Sequence, residues 1–340
     1  MNERNKLEAY VEKALQHPIV HGFAIHVRHK DSEQLVEAGN LSEKNRFFAA
    51  SVTKLMVTAL MLSLLDEKKI ALSDPIVKHV GERLPKRLHT YKGEDYTDRI
   101  TILQLMSNTS GLPDYFDKAL VEKLLNNEDE AWHFEDVMEY VRKKDAHFPP
   151  GHKRKVKYCD TNYELLGAII EAVTGKTFAE VVDERIVQPL GLFESYIYDG
   201  REDEKLTNIF YKEREIVLPK YMASIGPQGA LVTTAKELNV FLQAFFNGTF
   251  FNKNHFDMLY DWKLVFAPGL FFYGVGVSMQ PISLLHLKKG LIGHWGQSGA
   301  FAFYHPGHDV YMSGTVNQYV GHNKAVRVIL RALKDIKKHR

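Results

Sequence analysis

The sequence predicts a mixed α/β (α+β) fold: an antiparallel sheet flanked by N- and C-terminal helices, with an all-helical domain inserted between its two halves. Three observations carry this. Strand periodicity occurs early in the chain and again near its end, with a largely helical stretch between. Two early strands cannot form a stable sheet alone, so the late strands must complete it. Amphipathic helices stand at both termini, where they can cover a sheet face.

The elements follow in order. Leu7, Tyr10, Val11, Ala14 and Leu15 recur at helical spacing and give a helix over 4–16. The period then drops to two. Phe23, Ile25 and Val27 alternate with Ala24, His26 and Arg28, as in a half-buried strand. A polar turn at Lys30-Asp31-Ser32 leads to a second strand over 34–38. Residues 51–68 read as a helix, buried along its apolar run from Leu55 to Leu65. From about 72 to 220 the pattern is mostly helical, with loops at Gly111-Leu112-Pro113, Pro149-Pro150-Gly151 and Gly175. Thr161 and Glu164 have the spacing of a capping box for a helix over 162–173 that Gly175 ends. Thr234 and Glu237 open another, running to Asn247-Gly248. Late strand candidates are 271–279, 284–288, 300–304 and 310–316. The last helix carries Val326, Ile329, Leu330, Leu333 and Ile336 on one face. The expected domains are 1–71 with 221–340 for the sheet and 72–220 for the helical insert, with an active site in the cleft between them.

Composition narrows the function. With 340 residues, 45% of them hydrophobic, the chain can build a sizeable core. Lys plus Arg is 44 against 42 for Asp plus Glu, so nothing points to nucleic acid as a partner. The one cysteine, Cys159, excludes an intrachain disulfide framework and a Cys-rich zinc site. The start, MNERNKLEAYVEKAL, lacks the basic, apolar and small-residue blocks of a signal peptide, and the longest apolar run is too short to span a bilayer. A soluble cytoplasmic protein is the default expectation.

Ser51-Val52-Thr53-Lys54 carries the strongest chemical signal. Three residues apart at a helix start, serine and lysine share one face and can touch. A serine hydroxyl needs a nearby base, and a helix N-terminus favours negative charge on its oxygen. Read blandly, Ser51 caps a core helix. Tyr158-Cys159-Asp160 stands at a loop-to-helix junction, where a tyrosine can project into a cleft and shuttle protons. Cys159, a lone cysteine between polar neighbours, is expected to be inert. Gly293-His294-Trp295-Gly296-Gln297-Ser298-Gly299, followed by a strand, suggests backbone approaching a ligand closely. The run His152-Lys153-Arg154-Lys155-Val156-Lys157 reads as a solvated loop, and His294 with His305-x-x-His308 lacks the spacing of a metal site.

The order of these three pieces, Ser-x-x-Lys, then a variant of Tyr-x-Asn, then His-x-Gly, resembles the serine β-lactamase and penicillin-binding protein superfamily. It is most similar to the branch of class C β-lactamases, D-Ala-D-Ala carboxypeptidases, esterases and D-amino-acid amidases. Residues 47–51, 105–113, 149–151, 162–167 and 229–234 look like that branch as well. The resemblance implies that Ser51 is the acylated nucleophile, that Lys54 and Tyr158 share proton transfer, and that the backbone N–H groups of Ser51 and Gln297 form an oxyanion hole. Asp160, His294, Trp295, Gly296 and Ser298 would then meet substrate, with no cofactor or metal. Two departures stand out. Asp160 replaces the motif's Asn, and beside Lys54 it would hold the lysine charged, which makes Tyr158 the expected base. Trp295 replaces the usual Thr or Ser, and Ser298 is the candidate to supply that hydroxyl instead. The reading is a serine hydrolase of a small ester or amide, with a D-amino-acid peptide among the candidates. The alternatives are a D-Ala-D-Ala carboxypeptidase or weak β-lactamase, and a penicillin-binding sensor that acylates without turnover.

Overall fold

The computed structural model describes residues 3–30, 32–41, 45–266, 270–282 and 290–338. Its largest element is an eight-stranded sheet. We label its strands β1 (Gly22–His29), β2 (Ser32–Gly39), β3 (Lys263–Phe266), β4 (Phe271–Tyr273), β5 (Ser278–Pro281), β6 (Gly290–Trp295), β7 (Ala300–His305) and β8 (Val310–Thr315). The spatial order is β3-β4-β5-β6-β7-β8-β1-β2, antiparallel throughout. The early hairpin therefore completes the sheet by pairing β1 with β8, in a register that sets Ile25 opposite Gly314.

Helix α1 (Glu3–Leu15) and helix α5 (His322–Lys338) cover one face of this sheet. There Leu7 and Val11 pack with Phe23, Ile25, Val328, Ile329 and Leu333 in one apolar cluster. The face of α5 that is buried is set by Ala325, Val328, Ile329 and Leu333, whereas Leu330 is exposed. The apolar face expected from the sequence is therefore rotated slightly. The other sheet face receives α2 (Lys54–Asp66) and α4 (Ala235–Phe246). Asn239 of α4 donates to the carbonyls of His26 and Tyr311. Because helices cover both faces, β1 is buried through Val27 and is not the half-buried strand that its alternation suggests.

Between the two parts of the sheet lie mostly short helices, such as Lys118–Leu125 and Phe134–Arg142, and the longer α3 (Asp160–Thr174). This segment also holds short strands the sequence does not announce, including the hairpin Ile209–Tyr211 with Arg214–Ile216. Helix α3 ends at Gly175 in the left-handed conformation, as expected. Its start differs. The N-cap is Cys159, Thr161 Oγ1 donates to the Pro113 carbonyl, and Glu164 accepts from Gln228. The expected capping box is absent because tertiary partners have taken both side chains. The expected strand over 271–279 is two strands separated by Gly274–Val277, and β6 was not anticipated as a strand. The candidate over 284–288 lies outside the described residues.

Candidate active site

Ser51 is presented by a strained turn. Strand Arg46–Phe48, part of a second, four-stranded sheet, delivers the chain to the tight turn Ala50–Thr53, and α2 begins at Lys54. Ser51 thus precedes the α-helix and does not cap it. Ala50 has φ +46°, a conformation that residues with a Cβ rarely adopt and that persists only where the surroundings enforce it. The end of β6 is one enforcer. A Cβ on Gly296 would lie 2.2 Å from the Ala49 oxygen, so only glycine lets that backbone close on the turn.

Lys54 is fully buried and has three partners. Its Nζ lies 2.8 Å from Ser51 Oγ, 2.8 Å from the Gln228 carbonyl oxygen and 2.6 Å from Asp160 Oδ1. Two of the ammonium protons have acceptors in Ser51 Oγ and the Gln228 carbonyl, and Asp160 stands against the charge as an ion pair. Asp160 thus sits against Lys54, as its place in the second motif suggests.

Tyr158 joins the same site. Its ring centroid is 5.5 Å from Lys54 Nζ, and its hydroxyl is buried without a conventional hydrogen bond. Burial, with Asp160 adding to it, pushes the phenol well above its ordinary range, and proximity to Ser51 only partly offsets this. A phenol held so high is a poor base, which tells against the base role expected for Tyr158. Asp160 cancels the Lys54 charge, and desolvation dominates. The turn holding Tyr158 is pinned by Asn108, which has φ +56°. Its side-chain oxygen accepts from the Cys159 N–H and from Asn162, and its carbonyl accepts from the Lys157 N–H.

The third stretch runs along β6. His294 is buried, with Nδ1 2.6 Å from the Trp295 carbonyl and Nε2 3.3 Å from the Tyr273 hydroxyl. Burial and the nearby Lys54 push its pKa down to about 3, so it is neutral and brings no positive charge to the site. Tyr273 in turn meets the Tyr163 hydroxyl at 2.6 Å. Trp295 packs edge-on against Phe303 and His322 and lines a cleft with Ser51 and Tyr158. Ser298 is buried and its hydroxyl donates to the Phe48 carbonyl, so it cannot stand in for the missing Thr or Ser. Ser51 and Gln297 line both cavities that meet here. Their backbone N–H groups have no acceptor in the hydrogen-bond network of the described residues, which leaves them able to hold a developing oxyanion.

Other sequence candidates lie elsewhere. Cys159 is buried, its thiol 3.5 Å from the Pro113 carbonyl, and burial pushes its pKa well up. No residue of the basic run 152–157 lines either cavity. Sequence reasoning missed Tyr273, Asp114, Tyr115 and Gln228, which reach the site from three separate stretches of chain. No local spacing marks them.

Two carboxyls behind the site give a stability test. Glu164, buried beside Gln228, is pushed up to about 7 by burial. Asp114, whose Oδ1 accepts from the Asp160 N–H, is pushed up to about 8 by burial and by Asp160. Near neutral pH both hold protons that the unfolded chain has lost, so their contribution to stability falls as pH rises through those values. The lowered histidines, His26, His89, His147, His294 and His322, act in the opposite sense until the unfolded imidazoles have lost their protons, about one pH unit above 6.5. Between pH 7.5 and 8.5, urea-unfolding stability should therefore fall by about 0.5 kcal/mol. Asp114→Asn should flatten most of the decline. Stability that rises over this interval contradicts the burial of these groups.

Comparisons with known proteins agree with this architecture. D-amino acid amidase from Ochrobactrum anthropi superposes with a TM-score of 0.83 over 99% of this chain and 100% of its own, at 19% identity, which is a likeness of fold. Protein flp of Staphylococcus aureus is 26% identical over 214 residues, 62% of this chain and 40% of that protein. The carboxypeptidase/endopeptidase AmpH of Escherichia coli is 23% identical over 211 residues, 61% of this chain and 50% of AmpH. The chain thus spans half or less of the length of these curated relatives. The Beta-lactamase family model matches residues 7–335, nearly the whole sequence, and the chain belongs to that family.

Proposed function

We propose that this protein is a serine hydrolase that cleaves a small ester or amide through an acyl-enzyme on Ser51. The observation that carries this is the Ser51 Oγ–Lys54 Nζ contact of 2.8 Å inside a buried cluster with Asp160 and Tyr158. The domain division expected from the sequence, with this cluster in its cleft, is part of the same proposal.

The geometry supports a specific proton route. At 2.6 Å, Asp160 is placed to take a proton from Lys54. The free amine then takes the Ser51 proton as Oγ attacks the carbonyl. Tyr158, a neutral phenol, donates to the leaving group. Asp160 returns its proton to Lys54 as Lys54 reprotonates Tyr158, restoring the starting state before water repeats the cycle in reverse. This makes Lys54 the base and Tyr158 the acid, the opposite of the expectation from Asp160 alone.

A second reading, hydrolysis of a D-alanyl peptide, draws on the likeness to AmpH. β-Lactam hydrolysis has less support. On the β6 strand the motif hydroxyl is absent, His294 is neutral and Ser298 is spent. Arg327 is the one full-time cation lining the cleft of Tyr158 and Trp295 among the described residues, and it is exposed, so water screens it. A missing charge-assisted hydrogen bond is worth about ten- to a hundredfold. The test compares kcat/KM for p-nitrophenyl acetate and nitrocefin. The ester should be the better substrate. Nitrocefin turnover near a dedicated enzyme's efficiency, about ten million per molar per second, contradicts the reading.

A further inference from the structure

Two cavities converge on Ser51, and they differ in kind. One is lined by Tyr158, His294, Trp295 and the α5 residues Asn323, Val326 and Arg327. The other is a narrower cavity of about 90 Å³, room for about six water-sized groups and so for a short chain. Its walls come from helix Lys118–Leu125, the hairpin Ile209–Ile216 and helix Pro219–Ser224. Val121, Leu124, Ile209, Ile216, Met222 and Ile225 make it predominantly apolar.

Tyr158 tells the two apart. A leaving group must depart on the side where an acid can protonate it. Tyr158 lines the first cavity and not the second, so the second faces the acyl part of the substrate. Asp160 is the only charged side chain on its wall among the described residues, and Lys54 pairs with it at 2.6 Å. The Gln228 amide is held between Tyr115 and Glu164, and the Ser298 hydroxyl by Phe48. A charged acyl terminus seated here would lose its water and find no free counter-charge.

We propose that the substrate's acyl group is an uncharged apolar chain or ring of several carbons, seated in this second cavity. The inference rests on the Ser51 hydrolase reading and narrows it. A carboxylate- or ammonium-bearing acyl group is excluded from productive binding by the wall's composition. The apolar walls reward each buried methylene by about three- to fourfold in kcat/KM.

The test is a set of p-nitrophenyl esters that share one leaving group. Acetate, butyrate and hexanoate vary chain length, while the monoanionic glutarate and the cationic 6-aminohexanoate add a terminal charge to a chain of similar reach. We expect kcat/KM to rise at least about tenfold from acetate to hexanoate. Both charged esters should fall at least about tenfold below hexanoate. Filling the cavity with Leu124→Trp or, independently, Ile216→Phe should bring the hexanoate-to-acetate ratio toward one. Wild-type enzyme that is labelled at Ser51 and turns over esters with a flat or falling profile, or prefers a charged ester, overturns this inference alone. Absence of both labelling and turnover overturns the hydrolase reading and this inference with it.

Discussion

Ser51→Ala should abolish covalent labelling by a fluorophosphonate and lower ester turnover by at least about ten-thousandfold. Removing a nucleophile leaves only binding and the oxyanion donors, and the residual rate then reflects positioning rather than covalent catalysis. The substitution removes one hydroxyl from a partly exposed residue, and Lys54 keeps Asp160 and the Gln228 carbonyl as partners. The variant should therefore fold, and its melting temperature should stay close to wild type. A folded variant that retains turnover would mean that another group is acylated.

Lys54→Ala should have the next largest effect, about a hundred- to ten-thousandfold on acylation. The proton route makes a further demand that separates Lys54 from Tyr158. Lys54 activates the nucleophile, so its loss should depress p-nitrophenyl esters and anilides alike. Tyr158 protonates the leaving group, so Tyr158→Phe should spare a p-nitrophenyl ester, whose phenolate departs without help, and damage an amide far more. Equal losses on both substrates in Tyr158→Phe would instead make the tyrosine the base. Stability must be measured alongside, because Lys54→Ala leaves Asp160 buried without its cation. Breaking one partner of a buried pair costs about 3–5 kcal/mol. Lys54→Met, which fills the space, and the double variant Lys54→Met/Asp160→Asn, which removes the orphaned charge, keep the kinetic comparison interpretable.

Much of this site was legible in the sequence because its chemistry is written locally. Ser51 and Lys54 are one turn apart, and Tyr158 and Asp160 flank a helix start, so spacing alone brings each pair together. The sheet was legible for a related reason. The early and late strands are incomplete apart, and the pairing of β1 with β8 follows from that need. What spacing cannot supply is the environment. The carbonyl of Gln228 reaches Lys54 from 174 residues away, and Asp114 meets Asp160 across 46. Whether the Tyr158 phenol is raised or lowered depends on a balance of burial against charge, and the charge of Lys54 was visible while the burial was not. The left-handed turn at Ala50 was equally hidden. No residue type there signals it, and the close approach of Gly296 from the far end of the chain accompanies it. Ser298 was misread for the same reason, since only the folded chain shows its hydroxyl bonded to Phe48.

The central claim is that Ser51 is the residue that becomes acylated. Peptide mapping by mass spectrometry after reaction with a fluorophosphonate tests it most directly. The account predicts one adduct per chain, on the peptide carrying Ser51, lost when Lys54 is replaced by methionine under brief labelling and absent from Ser51→Ala. An adduct on Cys159 or any other residue, or an unlabelled Ser51 in enzyme that still hydrolyses esters, would contradict it.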